Sequence, residues 1–287
     1  MIYAFIEAHE EYPVVRWARF LEVSRSGYYG WLREREERAH RDQRYGDEVE
    51  SIFRESHGTY GAERISAVLR QGGRRASFRR VKRIMQQRGL RSVHVRKFRQ
   101  LTDSRKARGD EYLNLLRGIE ITQPFQALSS DISYIPTDEG FDYVCQIKDI
   151  RSGVILAVCQ SERMTKTLVL DTIKAARKRW HLPEGLIFHS DRGSQYTSKE
   201  VMDLLRKFGF QQSFSRVGMP ADNAWSESFF SILKKEVVHP QRFATRAQAR
   251  QAVFAYIETF YNRLRIQKKL SWLSPLSWLS SALDFTA

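Results

Sequence analysis

Cysteine is almost missing: Cys145 and Cys159 are the only two in 287 residues. Both fall in apolar, strand-like runs, so they read as buried thiols and no disulfide framework is expected. Neither the two cysteines nor the seven histidines are paired at ligand spacing, which argues against a zinc module. No apolar run approaches the roughly 20 residues of a membrane span, so no membrane partner is expected. Glu7 and Glu10 stand where a signal peptide would be apolar, so the expected location is cytoplasmic. Sustained heptads, internal repeats and low-complexity tracts are also absent, and with the heptads goes any zipper. Acid is scarcest in one stretch. Residues 64–108 hold sixteen Lys/Arg against the single acid Asp103, an excess equal to the +15 of the whole chain. The remainder is balanced, so a polyanion, DNA above all, is the partner this segment calls for.

The chain is long enough for a catalytic core with one or two smaller domains, and 42% hydrophobic residues make it globular. Residues 1–45 read as an N-terminal helical segment, with two short helices within 13–32 around Ser24-Arg25-Ser26-Gly27. Residues 33–44 are highly charged and read as an exposed helix or linker. Helical stretches at 47–56, 62–71 and 77–88 follow, with Gly72-Gly73 as a break and Ser77 as an N-cap. The last two form a helix-turn-helix pattern within a basic DNA-binding domain at 46–108. Arg79, Arg80, Lys82 and Arg83 lie near the start of its second helix, the one that enters the major groove in such motifs. A basic connector with a short helix at 109–117 leads into a core at 109–243.

That core has three hairpin-connected strands (128–136, 141–149, 154–160). A helix at 164–179, a strand ending before Asp191, a helix at 198–208 and a strand at 210–215 come next. The fold class is therefore α/β: a mixed five-stranded sheet flanked by helices on both faces, preceded by an all-α region. A long helix at 245–264 opens a C-terminal helical extension at 244–287.

Three acids stand out. Asp131 sits in the first strand, Asp191 ends a strand, and Glu227 follows Asp191 after 35 intervening residues on a helix capped by Asp222 or Asn223. Lys234 lies two helical turns beyond Glu227, on the same face. A lone buried carboxylate is costly. Three that converge suit two Mg²⁺ ions, with Mn²⁺ as a substitute, since hard cations prefer oxygen. Two ions ~3.5–4 Å apart serve both the attacking and the leaving oxygen of a phosphodiester. Asp149 competes with Asp131 as first ligand. The plainer readings are a turn-initiating Asp191 and an exposed helical Glu227. His189 is a general base or, more simply, a strand residue packed beside the site. Ser194 and Gln195 belong to a polar loop suited to DNA backbone contact, Asn223 to a cap or a DNA contact, and Lys234 to a phosphate contact. Ser194 lacks a His–Asp setting, which argues against a serine nucleophile.

The segments Val23–Tyr29, Gly58-Thr59-Tyr60-Gly61, Ser130–Ile135, His189–Tyr196, Asp222–Ser228, Tyr261–Arg265 and Ser274-Pro275 together resemble one family. It is the OrfB transposases of frameshifting bacterial insertion sequences, in the integrase/transposase superfamily with a ribonuclease-H-like core. The resemblance spans nearly the whole chain. It implies Asp131, Asp191 and Glu227 as the catalytic carboxylates, and DNA end cleavage followed by strand transfer. It also implies terminal repeats and target DNA as substrates and a homo-oligomer on DNA. A fusion or association with an upstream OrfA-type protein is implied too. Three positions depart from the family: Leu128 replaces a tryptophan, Ile150-Arg151 alters the second hairpin, and Gln267 replaces a histidine. None removes a carboxylate. A DNA-binding regulator without catalysis, or a ribonuclease-H-type nuclease, would share parts of this pattern.

Overall fold

The computed structural model describes residues 1–93, 113–216 and 223–284. It divides into two compact units, Met1–Ser92 and Val93–Ala287. The first is all helical: α1 (Ile2–Ala8), α2 (Val14–Phe20), α3 (Arg25–Glu55), α4 (Ala62–Gln71) and α5 (Phe78–Gln87). Here the sequence reading needs correction. The short second helix, the charged stretch 33–44 and the helix at 47–56 are one continuous helix of 31 residues. Arg and Glu favour helix, and the pairs Glu34–Arg38 and Glu37–Arg41 sit at i,i+4, so a polar stretch propagates without a core. Gly46 does not break it. A Cβ there would collide with the Arg88 guanidinium, which bonds Asp47 at 2.7 Å and Glu50 at 2.8 Å and so fastens the end of α5 to α3. Within the helical segment 1–45 the sequence pattern places helices only from residue 13, so α1 is an addition.

Ser24 and Ser77 cap α3 and α5, accepting from the amides of Gly27 and Arg80. Gly73, with φ +78°, takes the left-handed turn that ends α4 and that glycine adopts at least cost. Val49, Ile65, Leu69, Val81, Ile84 and Met85 form the buried centre of the α3–α4–α5 bundle.

In the second unit residues 115–118 form a turn where the sequence reading has the end of a helix at 109–117; the start of that helix lies outside the described residues. The sheet follows: β1 (Ala127–Thr137), β2 (Gly140–Asp149), β3 (Ile155–Ser161), β4 (Ile187–Ser190) and β5 (Gln211–Phe214). Its order is β3-β2-β1-β4-β5. The β1–β2 and β2–β3 pairs are antiparallel, and β4 and β5 run parallel to β1. This is the ribonuclease-H-like arrangement.

Strand alternation assigns the two faces. Leu128, Cys145, Ile147, Leu156 and Phe188 pack on α6 (Lys166–Arg179) and α7 (Lys199–Lys207). Ile135, Val144 and Ile155 pack on α8 (Ala224–Leu233) and α9 (Arg246–Ala255). The last predicted helix, 245–264, starts at a Thr245–Gln248 capping box but widens into a π-helical turn over Tyr256–Tyr261. α10 (Pro275–Asp284) follows, as a separate helix. Cys145 and Cys159 face each other in the β2–β3 register and are both free.

Asp149 is fully buried and serves the turns before β1 and after β2. It accepts from the amides of Phe125 (2.8 Å) and Ser152 (2.7 Å) and from the Ser152 hydroxyl. Burial holds its carboxyl above the usual range, and these bonds oppose the rise without cancelling it. Asp149→Ala would orphan the donors, and a loss of about 2–4 kcal/mol is expected in urea unfolding. Activity per folded molecule should survive, as befits a turn anchor and not a metal ligand.

Candidate active site

Asp131 lies mid-way along β1, on the α8-facing side with Ser129 and Ile135, opposite Gln146 of β2. Asp191 directly follows β4, the strand beside β1. Glu227 sits in the first turn of α8. The central position of β1 thus sets Asp131 between a neighbouring strand end and a helix crossing the same face.

The three carboxylates share one field. Burial first, then Asp191 and Glu227, lift the Asp131 carboxyl to about 8. A bond from its own neighbour's amide, Ile132 N–H at 2.8 Å, and the Lys234 ammonium oppose it. Burial also raises Asp191, against the Gly193 amide bonded to its Oδ1 at 3.0 Å, and raises Glu227. Asp191 and Glu227 remain open to solvent at the rim. Among the described residues, no three His, Cys, Asp or Glu side chains are drawn together tightly enough to chelate an ion.

The donor set nevertheless suits a hard cation. All three are oxygen donors, and the negative charge at Asp131 is the costly one that a divalent ion would relieve. Three further buried atoms lack a hydrogen-bond partner on or beside this face: Ser129 Oγ, Gln146 Oε1 and Asn223 Oδ1. They add oxygen to the surroundings of the carboxylates.

Lys234 is half-buried just past the end of α8, its ammonium 4.9 Å from the centre of the Tyr134 ring. Burial lowers its ammonium and Asp131 raises it, so Lys234 belongs to the carboxylate field. His189 is buried with both ring nitrogens engaged, at 2.9 Å from Ser213 Oγ and 3.1 Å from Ser215 Oγ, and its ring meets Trp225 edge-on. It packs beside the site. Ser194 is exposed; Gln195 is half-buried and donates to the Met164 carbonyl at 3.3 Å. Asn223 occupies the N-cap position of α8 without a capping bond, a correction to that part of the sequence reading, while Asp222 lies outside the described residues.

In the first unit, Arg79, Lys82 and Arg83 are exposed on α5. Arg80 differs. It bonds Asp42 of α3 at 2.8 Å and lies over the Tyr45 ring at 4.0 Å, so its first role is to hold α5 against α3.

Sequence reasoning missed the brace beneath Glu227. Gln146 Nε2 donates to Ser226 Oγ at 3.1 Å and Lys148 Nζ to the Trp225 carbonyl at 2.9 Å. Two alternate positions of β2 thereby hold the two residues that precede Glu227. Lys148 is buried, and burial followed by Lys269 and Arg265 lowers its ammonium to about 7 against the pull of Asp149. The available signal was a pair of polar residues, two apart, in an otherwise apolar strand. Gln146→Leu should cost about 1–2 kcal/mol of stability. It should also raise the Mg²⁺ concentration needed for half-maximal strand transfer, because Glu227 loses its register against Asp131. A metal titration unaffected by the substitution would leave Gln146 with a packing role only.

Matches to known proteins set the class: transposases and integrases. Family models described as "Integrase core domain" match residues 121–220 and 227–283, and one described as "HTH-like domain" matches 40–98. The chain is 36% identical over 282 residues to the transposase InsF of insertion sequence IS3A from Escherichia coli K12, covering 96% of this chain and 97% of that one. It is 39% identical over 230 residues to the transposase of IS904 from Lactococcus lactis, covering 80% and 90%. Among solved structures, the catalytic core of BIV integrase is matched over 56% of this chain and 99% of that one, at 16% identity and TM-score 0.43. The chain belongs to the IS3 family of insertion-sequence transposases. That membership implies polynucleotidyl transfer.

Proposed function

We propose that Asp131, Asp191 and Glu227 are the catalytic carboxylates of a metal-dependent DNA transposase. The observation that supports this best is the placement of the three acids: Asp131 lies midway along β1, Asp191 directly follows the neighbouring strand β4, and Glu227 sits in the first turn of α8, which packs on the same face. Together they would hold two Mg²⁺ ions, with Mn²⁺ as a substitute. Such ions supply charge neutralisation at the phosphate and a more acidic attacking hydroxyl.

The reaction has two balanced displacements. Water attacks phosphorus at an element end, its P–O bond forms, and the bond to the 3′-oxygen breaks, leaving a 3′-OH. That 3′-OH then attacks a target phosphodiester and its proton is lost, while the target's own 3′-oxygen departs. Asp131 is placed to fix the site to the sheet, Asp191 to hold its rim through the Gly193 turn, and Glu227 to close it from α8. Lys234, beside Asp131, is suited to a phosphate of the bound end. Ser194, Gln195 and Asn223 border the same carboxylates and suit contacts with the DNA strand.

The domain assignment in this reading is a DNA-binding domain at 46–108, a core at 109–243 and a helical extension at 244–287. Arg79, Lys82 and Arg83 would face the major groove, with Arg80 placing the helix that carries them. The partners are the terminal repeats and target DNA, an upstream OrfA-type protein joined by frameshift or association, and further copies of this chain on DNA. No helix among the described residues is long and apolar enough to cross a membrane. A cytoplasmic, nucleoid-associated location fits DNA as substrate.

The test is an oligonucleotide cleavage and joining assay, with the fused form used if this chain alone is inactive. Mg²⁺ and Mn²⁺ should both support joining, being octahedral oxygen-seeking ions. Ca²⁺ should support binding better than chemistry, because its looser coordination positions oxygens poorly. Joining in the presence of a chelator would overturn the metal-dependent reading.

A further inference from the structure

We propose that residues 1–33 form a second helix-turn-helix that binds duplex DNA through the start of α3, in addition to the α4–α5 motif. The matched family models begin at residue 40, so none of them assigns this segment.

The geometry is that of a small trihelical module. α2 and α3 are joined by four residues, Leu21–Ser24, with Glu22 in the left-handed region at φ +54°. The Val23 amide donates back to the Ala18 carbonyl at 2.9 Å, which turns the chain sharply between the helices. α1 lies against them. Ile6, Ala18 and Tyr28 are buried, Tyr3 packs on Tyr28 and Trp31, and Phe5 meets Trp17 edge-on. Gly27 lets α1 approach closely, since a Cβ there would push on the Tyr3 hydroxyl and the Ser24 Oγ. Glu7 and Arg35 form an ion pair that ties α1 to α3.

Tyr28 points into this core, so helical spacing turns Ser26, Gly30 and Arg33 outward, with Arg25 and Tyr29 on the flank. Arg25, Ser26, Tyr29, Gly30 and Arg33 are all exposed. Arg16 and Arg19 are exposed on α2. From Pro13 to Arg33 there are four arginines and one acid, Glu22. Outside that stretch Glu7 and Glu34 are paired with Arg35 and Arg38, while Glu10 and Glu11 lie in the connection between α1 and α2, so the basic excess belongs to α2 and the start of α3 and not to residues 1–33 as a whole. In a helix-turn-helix the first helix crosses the DNA backbone and the N-terminal residues of the second reach base edges. Arg16 and Arg19 occupy the former place; Arg25, Ser26 and Tyr29 occupy the latter.

Continuity supports duplex DNA as the occupant. The same helix α3 that starts this module ends in the core of the HTH-like domain, where Val49 is buried. Between Tyr28 and Val49 the helix rises ~30 Å, close to the ~34 Å of one DNA turn. One rigid helix therefore spaces two DNA-reading motifs by about a turn. Residues 34–44 are exposed throughout, as a strut bridging two modules would be.

The test uses the full chain and a mixed-sequence duplex of about 60 base pairs, reading the salt dependence of binding and the base pairs occluded per molecule. Arg16→Ala/Arg19→Ala/Arg25→Ala/Arg33→Ala should reduce the salt slope by ~0.9 for each phosphate that is no longer neutralised. It should also shorten the occluded length by about one DNA turn, ~10 base pairs. Gly30→Glu is a second variant. A side chain there meets nothing within 4 Å, so the fold is spared while a negative charge enters the proposed face. It should weaken binding with helix content unchanged by circular dichroism. An unchanged slope and occluded length in both variants would overturn the proposal. So would unchanged DNA binding together with abolished self-association, which would make the face a protein-docking surface. Joining of pre-cut ends at high concentration reads the catalytic centre separately, so failure here leaves that reading standing.

Discussion

Asp131→Asn, Asp191→Asn and Glu227→Gln should each lower end cleavage and strand transfer together, by roughly a thousandfold or more. The substitutions keep shape and remove charge, and one carboxylate set serves both displacements. DNA binding should persist, because the exposed cations of α5 lie in the other unit. Asp131→Asn carries a second signature, in stability. Its folded carboxyl sits at about 8 against an unperturbed 3.8. The folded state thus holds the proton more tightly than the unfolded chain, and the Asp131 contribution falls as pH rises from about 4 to 8. The amide removes that loss, so the variant should gain on the order of 2 kcal/mol above pH 8 after allowance for solvent at the rim. The Tm should rise by several degrees. An inactive protein that melts higher at alkaline pH separates loss of chemistry from loss of fold. Full activity in any of the three variants would end the assignment of these carboxylates.

Arg79→Ala/Lys82→Ala/Arg83→Ala should weaken duplex binding by about two to three orders of magnitude near physiological salt, with the salt slope reduced by ~0.9 per phosphate released. Strand transfer from pre-cut ends supplied at high concentration should survive better than end cleavage, since mass action replaces recognition. Arg80→Ala should behave otherwise. Its guanidinium already holds Asp42 and covers Tyr45, so the variant should loosen α5 from α3 and be read first as a small drop in Tm. An anisotropy titration in which the triple variant keeps the wild-type slope would remove this face from the DNA interface.

The features legible along the chain are local ones. Apolar alternation over 128–136 set β1 and placed Asp131 within it. Ser77 marked a helix start, because a cap is decided by a residue and the amides three positions on, whereas Ser24, read as the beginning of a turn, is the cap of α3. The density of Arg and Lys over 64–108 and the 35-residue interval before Glu227 also needed no neighbours to be read. Packing settled whatever depends on residues far away in the chain. Charged residues 33–44 read equally as an exposed helix or a linker until α1 and α2 at one end and α4 and α5 at the other hold both ends of a single helix. Asp149 and Asp131 are alike as acids in β-strands, yet one satisfies turn amides and the other feels the charges of Asp191 and Glu227. Arg79 and Arg80 are adjacent, but Arg80 is the one that finds Asp42 across the bundle. The brace from Gln146 and Lys148 to α8 joins residues about eighty positions apart, where only the strand register shows that they meet. Backbone preference and periodicity act over a few residues and are written in the order of the chain. The field at a carboxylate is a sum over whatever the fold brings near, and only the packed molecule supplies it.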